Sequence, residues 1–412
     1  MRLTKITDKD MGKYEVVQQV INSNLSTKVA CDKLKLSDRQ LRRLKVRVKD
    51  SGISGVIHGN RDRISNRRID PIKEEDIVDT IKRKYPDFGP TLAYEKITEI
   101  DKIECKLSTI RNIMINNDIW IPKKAKKPIP HTLRLRRAMY GEMIQYDGSY
   151  HLWFEDRGTG EKLCLLLAVD DATGIIMHAK FDEHEGVFPT LTFWKEYIEK
   201  HGIPTSIYHD RFSTYSVNHK IAKENPDTIT QFQRAMTALN VEMILAGSSE
   251  AKGRVENFFG TLQDRLVKEL RLQNISTVQE ANIFLVEVFI PFYNKKFAVH
   301  PRKDGNAHIP LRKEKMKVLP SIFSRHTDRT VANDFTVHFK KHIIQLTKKQ
   351  PATVFPKDKV VVEEHIDGCW YVRLNSKYLN FKILVGKPKK LNQNIAWVLE
   401  KNTFQETKPL IN

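Results

Sequence analysis

The chain has 412 residues, which is long enough for about two to four domains with sizeable hydrophobic cores. Lysine and arginine number 70 against 50 acidic residues, so the formal net charge is +20. This balance favours a polyanionic partner, most simply nucleic acid. No apolar run is long enough to cross a membrane, and the N-terminus MRLTKITDKD lacks the apolar centre of a signal peptide. We therefore expect a cytoplasmic, nucleoid-associated protein with no membrane partner.

The cysteines give no sign of a metal site or a disulfide framework. The four of them (Cys31, Cys105, Cys164 and Cys369) are scattered, with no CxxC pair and no histidine pair at zinc spacing. We expect them to be reduced, and we do not expect a zinc-based N-terminal domain.

Residues 1–50 predict a helix-turn-helix DNA-binding domain. Ser26 and Ser37 are placed to cap two short helices after a first helix. The second of these helices would keep its basic side chains outside, namely Arg39, Arg42, Arg43, Lys45 and Arg47. A short helix, a tight turn and a basic helix suit the major groove of DNA. A small bundle with a solvated basic face is the alternative. The apolar residues predicted to face inward are Tyr14, Val17, Val20, Ile21, Val29, Ala30, Leu34, Leu41, Leu44 and Val48.

A basic, Gly- and Arg-rich linker at 51–70 leads to a second helical unit at 71–121. It is predicted to contain three helices, the first stopped by Pro86 and the others capped by Thr91 and Ser108. Arg111 would lie at the start of the third helix, where a recognition helix meets bases. A second helix-turn-helix and a plain three-helix packing module remain equal alternatives. Residues 122–140 form a Pro- and Lys-rich basic linker suited to a DNA backbone.

Residues 141–300 predict an α/β core with a mixed sheet. The segment 142–154 alternates apolar and polar residues, which indicates a strand with Asp147 at its middle. The segment KLCLLLAVDDATGIIMHAKF indicates a hairpin with its turn at 171–174. Helix 187–201, strand 203–210, helix 229–239, strand 241–246 and helix 251–266 follow. The order β-β-β-α-β-α-β-α is that of a ribonuclease H-like fold.

The last of these helices carries an acidic residue on a polar stripe. Lys252, Glu256, Phe259 and Gln263 recur at three- and four-residue spacing, so they would share a face or lie on adjacent stripes. The buried stripe would consist of Val255, Phe258, Leu262 and Leu266. Alone, such a pattern is typical of an ordinary amphipathic helix.

Asp147, Asp210 and Glu256 would form the catalytic and metal-binding set. They lie on a strand, at the end of a strand and on a helix, separated by 62 and 45 residues. Transfer of a phosphodiester can use two divalent metals that clamp the attacking and leaving oxygens. Magnesium prefers oxygen ligands and keeps several waters, so a few carboxylates suffice. We therefore expect two Mg²⁺ ions, for which Mn²⁺ could substitute.

Several segments carry a resemblance to a known family. QYDGS at 145–149, HDRFSTY at 209–215 and SSEAKGRVENFFGTLQDRLVKEL at 248–270 resemble the catalytic core of DDE transposases of the retroviral-integrase-like superfamily, most closely bacterial insertion-sequence transposases of the ISNCY type. The likeness continues upstream through YPDFGPTLAYEKITE and LSTIRNIMINNDIW, so it covers roughly residues 10–300. It implies that Asp147, Asp210 and Glu256 are the three catalytic carboxylates.

Two features depart from the family pattern, and other polar residues compete for roles. The gap between Asp210 and Glu256 is wide, which an inserted loop, SVNHKIAKENPDT, would explain. Ser248-Ser249-Glu250 stands where Ser-Pro-x is usual.

Turn roles are expected for Asp170, Asp171, Glu155 and Asp156, and a packed strand-end role for His209. Lys252 and Arg254 would contact phosphates of the DNA ends, with a solvated basic face as the alternative.

The C-terminal part predicts an auxiliary domain. A helix at 277–290, capped by Ser276, would place Ala281, Phe284, Leu285 and Val288 inward. A linker at 301–335 would lead to a small SH3-like β-barrel at 336–412, built from short alternating strands that end with AWVLE at 396–400. The barrel would bind DNA or a partner, or serve a structural role only.

The fold and motifs together predict a multidomain, Mg²⁺-dependent transposase. It would bind double-stranded DNA at terminal inverted repeats, cut there, and join the freed 3′-hydroxyl to target DNA. Joining two ends implies a homo-oligomer in a synaptic complex. A DNA-binding regulator that keeps the fold, and a structure-specific nuclease, are the alternatives.

Overall fold

The computed structural model describes residues 6–58, 61, 68–122, 135–209, 227–245 and 253–384, with the backbone alone at 227–230, 245 and 253–257. The chain divides into two compact units, Met1–Ala125 and Lys126–Asn412. Their boundary falls inside the predicted basic linker 122–140. Within the described residues, every helix is too short or too polar to cross a membrane.

The first three helices of the N-terminal unit form a small bundle: α1 (Asp8–Ile21), α2 (Thr27–Leu34) and α3 (Asp38–Ser51). The predicted caps are confirmed, because the Ser26 and Ser37 hydroxyls accept hydrogen bonds from the Val29 and Gln40 amides. The bundle's buried core contains Val17, Val20, Ala30, Leu41, Leu44, Val48 and Val56. The inward placement of Val29 was wrong, because this side chain is 43% exposed in the first turn of α2.

Three further helices complete this unit: α4 (Pro71–Lys84), α5 (Pro90–Glu99) and α6 (Leu107–Asn116). Helix α4 ends just before the Tyr85–Pro86 pair, as a proline stop requires. The predicted caps Thr91 and Ser108 were wrong, since the N-caps are Gly89 and Lys106. Pro90 begins α5 because its fixed φ suits the first helical position, and this moves the helix start ahead of Thr91.

The second unit contains a five-stranded mixed sheet in the order β3-β2-β1-β4-β5. Strands β1 and β2 and strands β2 and β3 pair antiparallel, whereas β4 is parallel to both β1 and β5. The β-β-β-α-β-α-β-α order and the ribonuclease H-like topology are confirmed. The elements are β1 (Met143–His151), β2 (Leu163–Asp170), β3 (Ile176–Asp182), α7 (Val187–His201), β4 (Ser206–His209), α8 (Asp227–Ala238), β5 (Glu242–Leu245) and α9 (Gly253–Leu272).

Each face of this sheet carries its own hydrophobic core. One face packs on α7 and α8 through residues such as Tyr146, Trp194 and Phe232. The other face packs on α9 and on helices α10 (Val278–Phe284) and α11 (Ile290–Phe297), through residues such as Leu167 and Leu266. Period-2 alternation along the strands explains how one sequence supplies two separate cores.

A π-helical turn, Leu285–Phe289, joins α10 to α11. The Asn282 and Asn294 side-chain amides pair reciprocally with the backbones of Phe181 and Ile176 on edge strand β3, at 2.7–3.1 Å. Twelve helical residues would rotate by about 1200°, which leaves the two asparagines roughly 120° apart. The extra residue taken up by the π turn removes about 100° of that offset. Both amides can therefore cover the open edge of the sheet.

Two expectations for this helix were wrong. Its N-cap is Thr277, whose hydroxyl accepts a hydrogen bond from the Glu280 amide, and not Ser276. Val288 was expected inside but is 52% exposed, and Phe289 is buried instead. A regular 3.6-residue period cannot anticipate a π turn. The prediction therefore holds at Leu285, which is buried as expected, and misses the next buried position by one residue.

The C-terminal part begins with α12 (Lys313–Ile322), which lies inside the predicted linker 301–335. The strands then form a four-stranded sheet, β11-β10-β9-β6, and a three-stranded sheet, β12-β8-β7, around one core. The predicted barrel is not confirmed, because these described strands do not close into one sheet, and the predicted strand at 396–400 lies outside the described residues. The strands are β6 (Arg325–Thr330), β7 (Thr336–Phe339), β8 (His342–Leu346), β9 (Lys359–Glu364), β10 (Trp370–Leu374), β11 (Lys377–Leu379) and β12 (Phe381–Leu384).

Candidate functional site

Asp147 lies in the middle of the central strand β1, as predicted. It is opposite Leu167 of β2, its side chain is partly exposed, and its Oδ1 accepts a hydrogen bond from the Gly148 amide at 3.0 Å. Alternation along β1 puts Gln145, Asp147 and Ser149 on the face that α9 covers. A polar row in the centre of the sheet, beside a helix, is a suitable place for charged chemistry.

Position 148 must be glycine because neighbouring side chains leave no room for a Cβ atom. A Cβ atom at this position would stand 3.0 Å from Glu185 Oε2 and 3.1 Å from Cys164 Sγ. The Tyr150 hydroxyl accepts the Glu185 amide hydrogen at 2.8 Å, which fixes the backbone of this acidic residue. Burial, followed by the nearby Glu185 and Asp147 charges, raises the pKa of the Cys164 thiol far above its usual range. Cys164 is therefore a neutral packing residue.

Strand β4 runs parallel to β1 and ends at His209, one residue before Asp210. Its register pairs Met143 with Ser206, Ile144 with Ile207 and Gln145 with Tyr208. His209 is buried, and its ring lies 6.2 Å from that of Phe232 in an edge-on contact. This agrees with the packed strand-end role expected for His209. Asp210 itself lies outside the described residues.

Helix α9 passes along β1 and is held there by polar contacts. The Gln263 Nε2 donates a hydrogen bond to Ser149 Oγ at 3.0 Å. Farther along, Arg271 donates from Nε and Nη2 to the Glu155 carboxylate at 2.9 and 2.6 Å. The first contact is on β1 and the second is in the turn that follows it, so α9 advances towards the C-terminal end of the strand.

The sequence assigned Phe259 to the polar stripe of this helix, and that was wrong. Its side chain is 6% exposed and belongs to the core under the sheet. Phe259 lies three residues from Leu262 and seven from Leu266, so its ring can join the apolar stripe as easily as the polar one. Glu256 and Arg254 lie within α9, but their side chains are outside the described residues, as is the whole of Lys252.

The competing acids on the β2–β3 turn have structural partners. Asp170 accepts hydrogen bonds from the Gly141 amide at 2.9 Å and from the Thr173 amide and hydroxyl at 2.8 and 2.6 Å. Burial raises the pKa of the Asp170 carboxyl in spite of these bonds. Asp171 accepts hydrogen bonds from the Arg137 amide at 2.7 Å and from the Gln145 side chain. The predicted turn roles account for both carboxylates.

Gln145 and Arg136 were missed by the sequence analysis. Gln145 is buried next to Asp147 on the same face, where the hydrogen bond to Asp171 orients its amide. A Cβ atom at Gly174 would stand 3.3 Å from Arg136 Nη1 and 3.7 Å from Phe258 Cζ, so this arginine lies close to the first turns of α9. No local signal separates Arg136 from the other basic residues of the linker.

The predicted DNA-binding residues of the N-terminal unit lie on helical surfaces. Arg39 and Arg43 are exposed on α3, Lys45 is partly exposed, and Arg111 is exposed on α6. Arg42 pairs with Asp38 at 2.7 Å, an exposed contact across one helical turn that contributes little to stability. The connection from α2 to α3 takes three residues, Lys35 to Ser37, with Lys35 in the left-handed region.

The described side chains alone do not form a metal centre. Among them, no group of three or more histidine, cysteine, aspartate or glutamate residues could hold an ion. Of the predicted set, only Asp147 is described in full. Its carboxylate is a hard oxygen ligand on a partly exposed face, which fits Mg²⁺ better than a softer metal.

Comparison with known proteins gives two closely matching relatives. The putative transposase y4bF of Sinorhizobium fredii is 35% identical over 383 residues, which cover 93% of this chain and 82% of the relative. The transposase for insertion sequence IS1202 of Streptococcus pneumoniae is 28% identical over 410 residues, covering 90% of this chain and 86% of the relative. No protein-family model matches.

Solved structures give more distant likenesses. The HTLV-2 integrase catalytic core domain in complex with magnesium matches 37% of this chain and 90% of its own, at 18% identity and a TM-score of 0.28. A simian T-cell lymphotropic virus intasome matches 73% of this chain and 100% of its own, at 12% identity and a TM-score of 0.32.

Proposed function

The chain belongs to the transposases, and on that premise we propose that it is an insertion-sequence transposase of the retroviral-integrase-like superfamily that cleaves and joins DNA at the ends of its own element. The proposal includes metal-dependent cleavage at terminal inverted repeats and transfer of the resulting 3′-hydroxyl to target DNA. The observation that carries it is the position of Asp147. This residue lies on the central strand β1, which is paired with β4 and covered on one face by α9, the candidate catalytic helix.

The pairing of β1 with β4 supports a place for Asp210 in the same site. The register ends with Gln145 opposite Tyr208. Carried two residues further, it would set position 210 opposite position 147, on the same face and about 5 Å away. We propose that these two aspartates share a metal ion.

The direction of α9 supports a place for Glu256 as the third carboxylate. Glu256 precedes Gln263 by seven residues, which is close to two turns and about 10 Å along the same side of the helix. Moving about 10 Å back along β1 from Ser149 passes about three residues and reaches the neighbourhood of Asp147. A Cβ atom at Gly174, in the turn beside the start of β1, would stand 3.7 Å from Phe258 Cζ, which agrees with this direction.

Asp147, Asp210 and Glu256 would hold two Mg²⁺ ions, with Mn²⁺ as a substitute. When bound, such ions polarise the phosphate and lower the pKa of a bound water. The protein's part is to fix the carboxylates on separate rigid elements, so that the ligand set forms only in the folded core. Gln145, buried on the same face and bonded to Asp171, would help to hold the part of β1 that carries Asp147.

DNA recognition is proposed for the N-terminal unit. The three-residue connection between α2 and α3 has the length of a helix-turn-helix turn, and α3 presents Arg39, Arg42, Arg43 and Lys45. The α5–α6 connection takes seven residues, 100–106, which is longer than such a turn. The second helical unit, 71–121, is therefore better explained as a three-helix module that contacts DNA through surface residues such as Arg111.

Assembly and location follow from this reaction. Two element ends must be brought together, so we propose a homo-oligomer that holds both in a synaptic complex. Lys252 and Arg254 would contact phosphates of the bound ends near the catalytic helix. The protein would work in the bacterial cytoplasm on nucleoid DNA.

The test is strand cleavage of a labelled duplex that carries the element's own terminal repeat, with Mg²⁺ or Mn²⁺. Wild type should cut at the end in a metal-dependent way, whereas Glu256→Gln should bind the duplex and not cut it. Glu287→Gln, an exposed residue of the π turn, is the matched control. Binding without cleavage under either metal would favour a regulator, and undiminished cleavage by Glu256→Gln would remove Glu256 from the site.

A further inference from the structure

The four-stranded sheet of the C-terminal part is attached to the catalytic core through helix α8. Gln231 Nε2 donates a hydrogen bond to the His326 carbonyl oxygen at 2.7 Å, and the His326 amide donates to Gln231 Oε1 at 3.0 Å. His326 belongs to β6, the outermost strand of that sheet. The glutamine amide therefore takes the place of a neighbouring strand on this open edge.

Arg234, one turn further along α8, holds the segment that enters β6. Its Nη2 donates hydrogen bonds to the carbonyl oxygens of Ile322 at 2.8 Å and Ser324 at 2.6 Å, and its Nε donates to Gln231 Oε1 at 3.2 Å. Burial lowers the pKa of the Arg234 guanidinium to about 10, so it remains cationic at neutral pH. It satisfies carbonyl groups at the C-terminal end of α12, where a cation is favoured.

A buried carboxylate on β9 balances this cation. Glu363 is 0% exposed and accepts hydrogen bonds from Arg373 Nε at 2.6 Å and from the Tyr378 hydroxyl at 3.2 Å. Burial opposes its ionisation, but hydrogen bonds from His365 and Arg373 lower the pKa of Glu363 to about 2. Removing one member of such a buried charged group leaves the others uncompensated.

The same region is also packed against the core. Leu319 and Phe323 are buried in the hydrophobic cluster that contains Phe232 of α8 and Tyr146 of β1. Polar and apolar contacts therefore converge on one helix. That helix, α8, begins at Asp227, seventeen residues after Asp210.

The net positive charge of the attached sheets indicates what this connection does. Residues 325–384 contain eleven lysines and arginines against six acidic residues, so their surface favours a phosphate backbone. DNA lying on these sheets can be presented to Asp147 in one register only if the sheets keep one orientation relative to the core. Interfaces between domains of one chain otherwise allow relative motion by default.

We propose that Gln231 and Arg234 are positioning residues that hold the C-terminal sheets in one orientation on the catalytic core, and so determine which phosphodiester bond is cut. The effect on the cut site rests on the proposed cleavage reaction. The attachment of the C-terminal sheets to the core does not. The two parts can therefore be tested separately.

The connection is tested by a distance measurement that needs no activity. Spin labels are placed on Cys369, which is exposed in the β9–β10 turn, and on Lys200→Cys at the end of α7, in a background with Cys31→Ser and Cys105→Ser. Wild type should give one narrow distance distribution. Gln231→Ala and Arg234→Ala should widen it by roughly twofold or more, because fewer contacts then resist the relative motion that is usual between domains. Gln233→Ala, exposed on the same helix, should leave it unchanged.

The consequence is tested on the labelled terminal-repeat duplex. Gln231→Ala and Arg234→Ala should cut at several neighbouring bonds and lose about tenfold to a hundredfold at the wild-type bond, because small misplacements are costly. Arg234→Lys, which keeps the charge and a donor, should restore part of the single cut site. A uniform loss of cutting at an unchanged site would indicate a merely structural role and overturn the proposal. An unwidened distance distribution in both alanine variants would overturn it even if wild type does not cleave DNA.

Discussion

The two faces of β1 use alternate residues of one strand for opposite purposes. Tyr146 is fully enclosed by Phe193, Trp194 and Phe232, whose rings lie 5.3, 5.3 and 5.8 Å away. The other face carries Asp147 and Ser149, which are partly exposed under α9, and Gln263 of α9 donates a hydrogen bond to Ser149. The packed face provides stability, and the polar face can therefore carry charges that a core would not tolerate. Substitutions on the packed face should therefore lower stability, and substitutions on the polar face should lower activity.

The largest effect is expected on the polar face, for Asp147→Asn. Loss of one carboxylate of a metal-binding set should lower the rate of end cleavage by about a thousandfold or more. The free energy of unfolding should change little, because the side chain is partly exposed and the amide has the same shape. Cleavage kinetics and denaturant unfolding measure the two quantities side by side. Asp156→Asn, an exposed carboxylate of a nearby turn, is the control, and equal rates in the two variants would rule out a catalytic Asp147.

The packed face should make the protein sensitive to acid. Burial lowers the pKa of His201 and of His308 to about 4, below the value of about 6.5 in an unfolded chain. The unfolded state therefore binds more protons between these values, and stability falls as the pH drops from about 6.5 towards 4. Each histidine contributes at most about 3 kcal/mol to this loss.

Unfolding in denaturant at pH 7 and at pH 5 measures this effect. His308→Gln should reduce the difference between the two values, whereas His300→Gln, which is exposed, should not. A pH-independent free energy of unfolding would show that these two imidazoles titrate normally in the folded state.

Gly148→Ala should disturb both faces at once. The added methyl group would press on Glu185 Oε2 and Cys164 Sγ, at 3.0 and 3.1 Å, and overpacking of this kind costs about 1–3 kcal/mol. If the strand yields instead of the side chains, Asp147 moves as well and cleavage slows. Thermal unfolding and cleavage rates separate these outcomes. Gly12→Ala, which has open space around it in helix α1, is the reference and should melt no lower than wild type. An unchanged melting temperature together with an unchanged rate would contradict the close approach.

The smallest effect is expected for Gln263→Ala, which removes the hydrogen bond between α9 and Ser149. One neutral hydrogen bond is worth about 1 kcal/mol, so cleavage should fall by about tenfold at most. The concentration of Mg²⁺ needed for half-maximal rate should rise, because the helix that carries Glu256 is held less firmly. Gln273→Ala, exposed just beyond the end of α9, should match wild type. A loss comparable to that of Asp147→Asn would mean that Gln263 acts directly in the reaction.

Local patterns were sufficient for the sheet. The alternation around Asp147, the turn at 171–174 and the caps Ser26 and Ser37 all depend on near neighbours in sequence, and the structure confirms them. Of the candidate site, the placement of Asp147 on β1 and of position 256 within a helix could be predicted. The approach of Asp210 and Glu256 to Asp147 stays a prediction.

The errors have causes that lie outside any local window. Phe259 lies at the border of two helical stripes, and only the neighbouring core decides which one it joins. The SH3-like barrel was expected from strand patterns and is not confirmed, because closure depends on pairings between distant strands and the described sheets remain separate. The contacts of Gln231 and Arg234 join residues 88–95 positions apart, so no periodicity could show them.

The π turn at Leu285–Phe289 also limits how this gene region can change over evolutionary time. Removing one codon there would restore a regular helix and swing Asn294 by about 100°, away from Ile176. The outer strand of the sheet would then offer bare backbone groups to other chains, a known route to aggregation. Substitutions at the exposed positions 286–288 should therefore be common in working copies of the element, whereas single-codon insertions and deletions should be found mainly in copies that have already lost function.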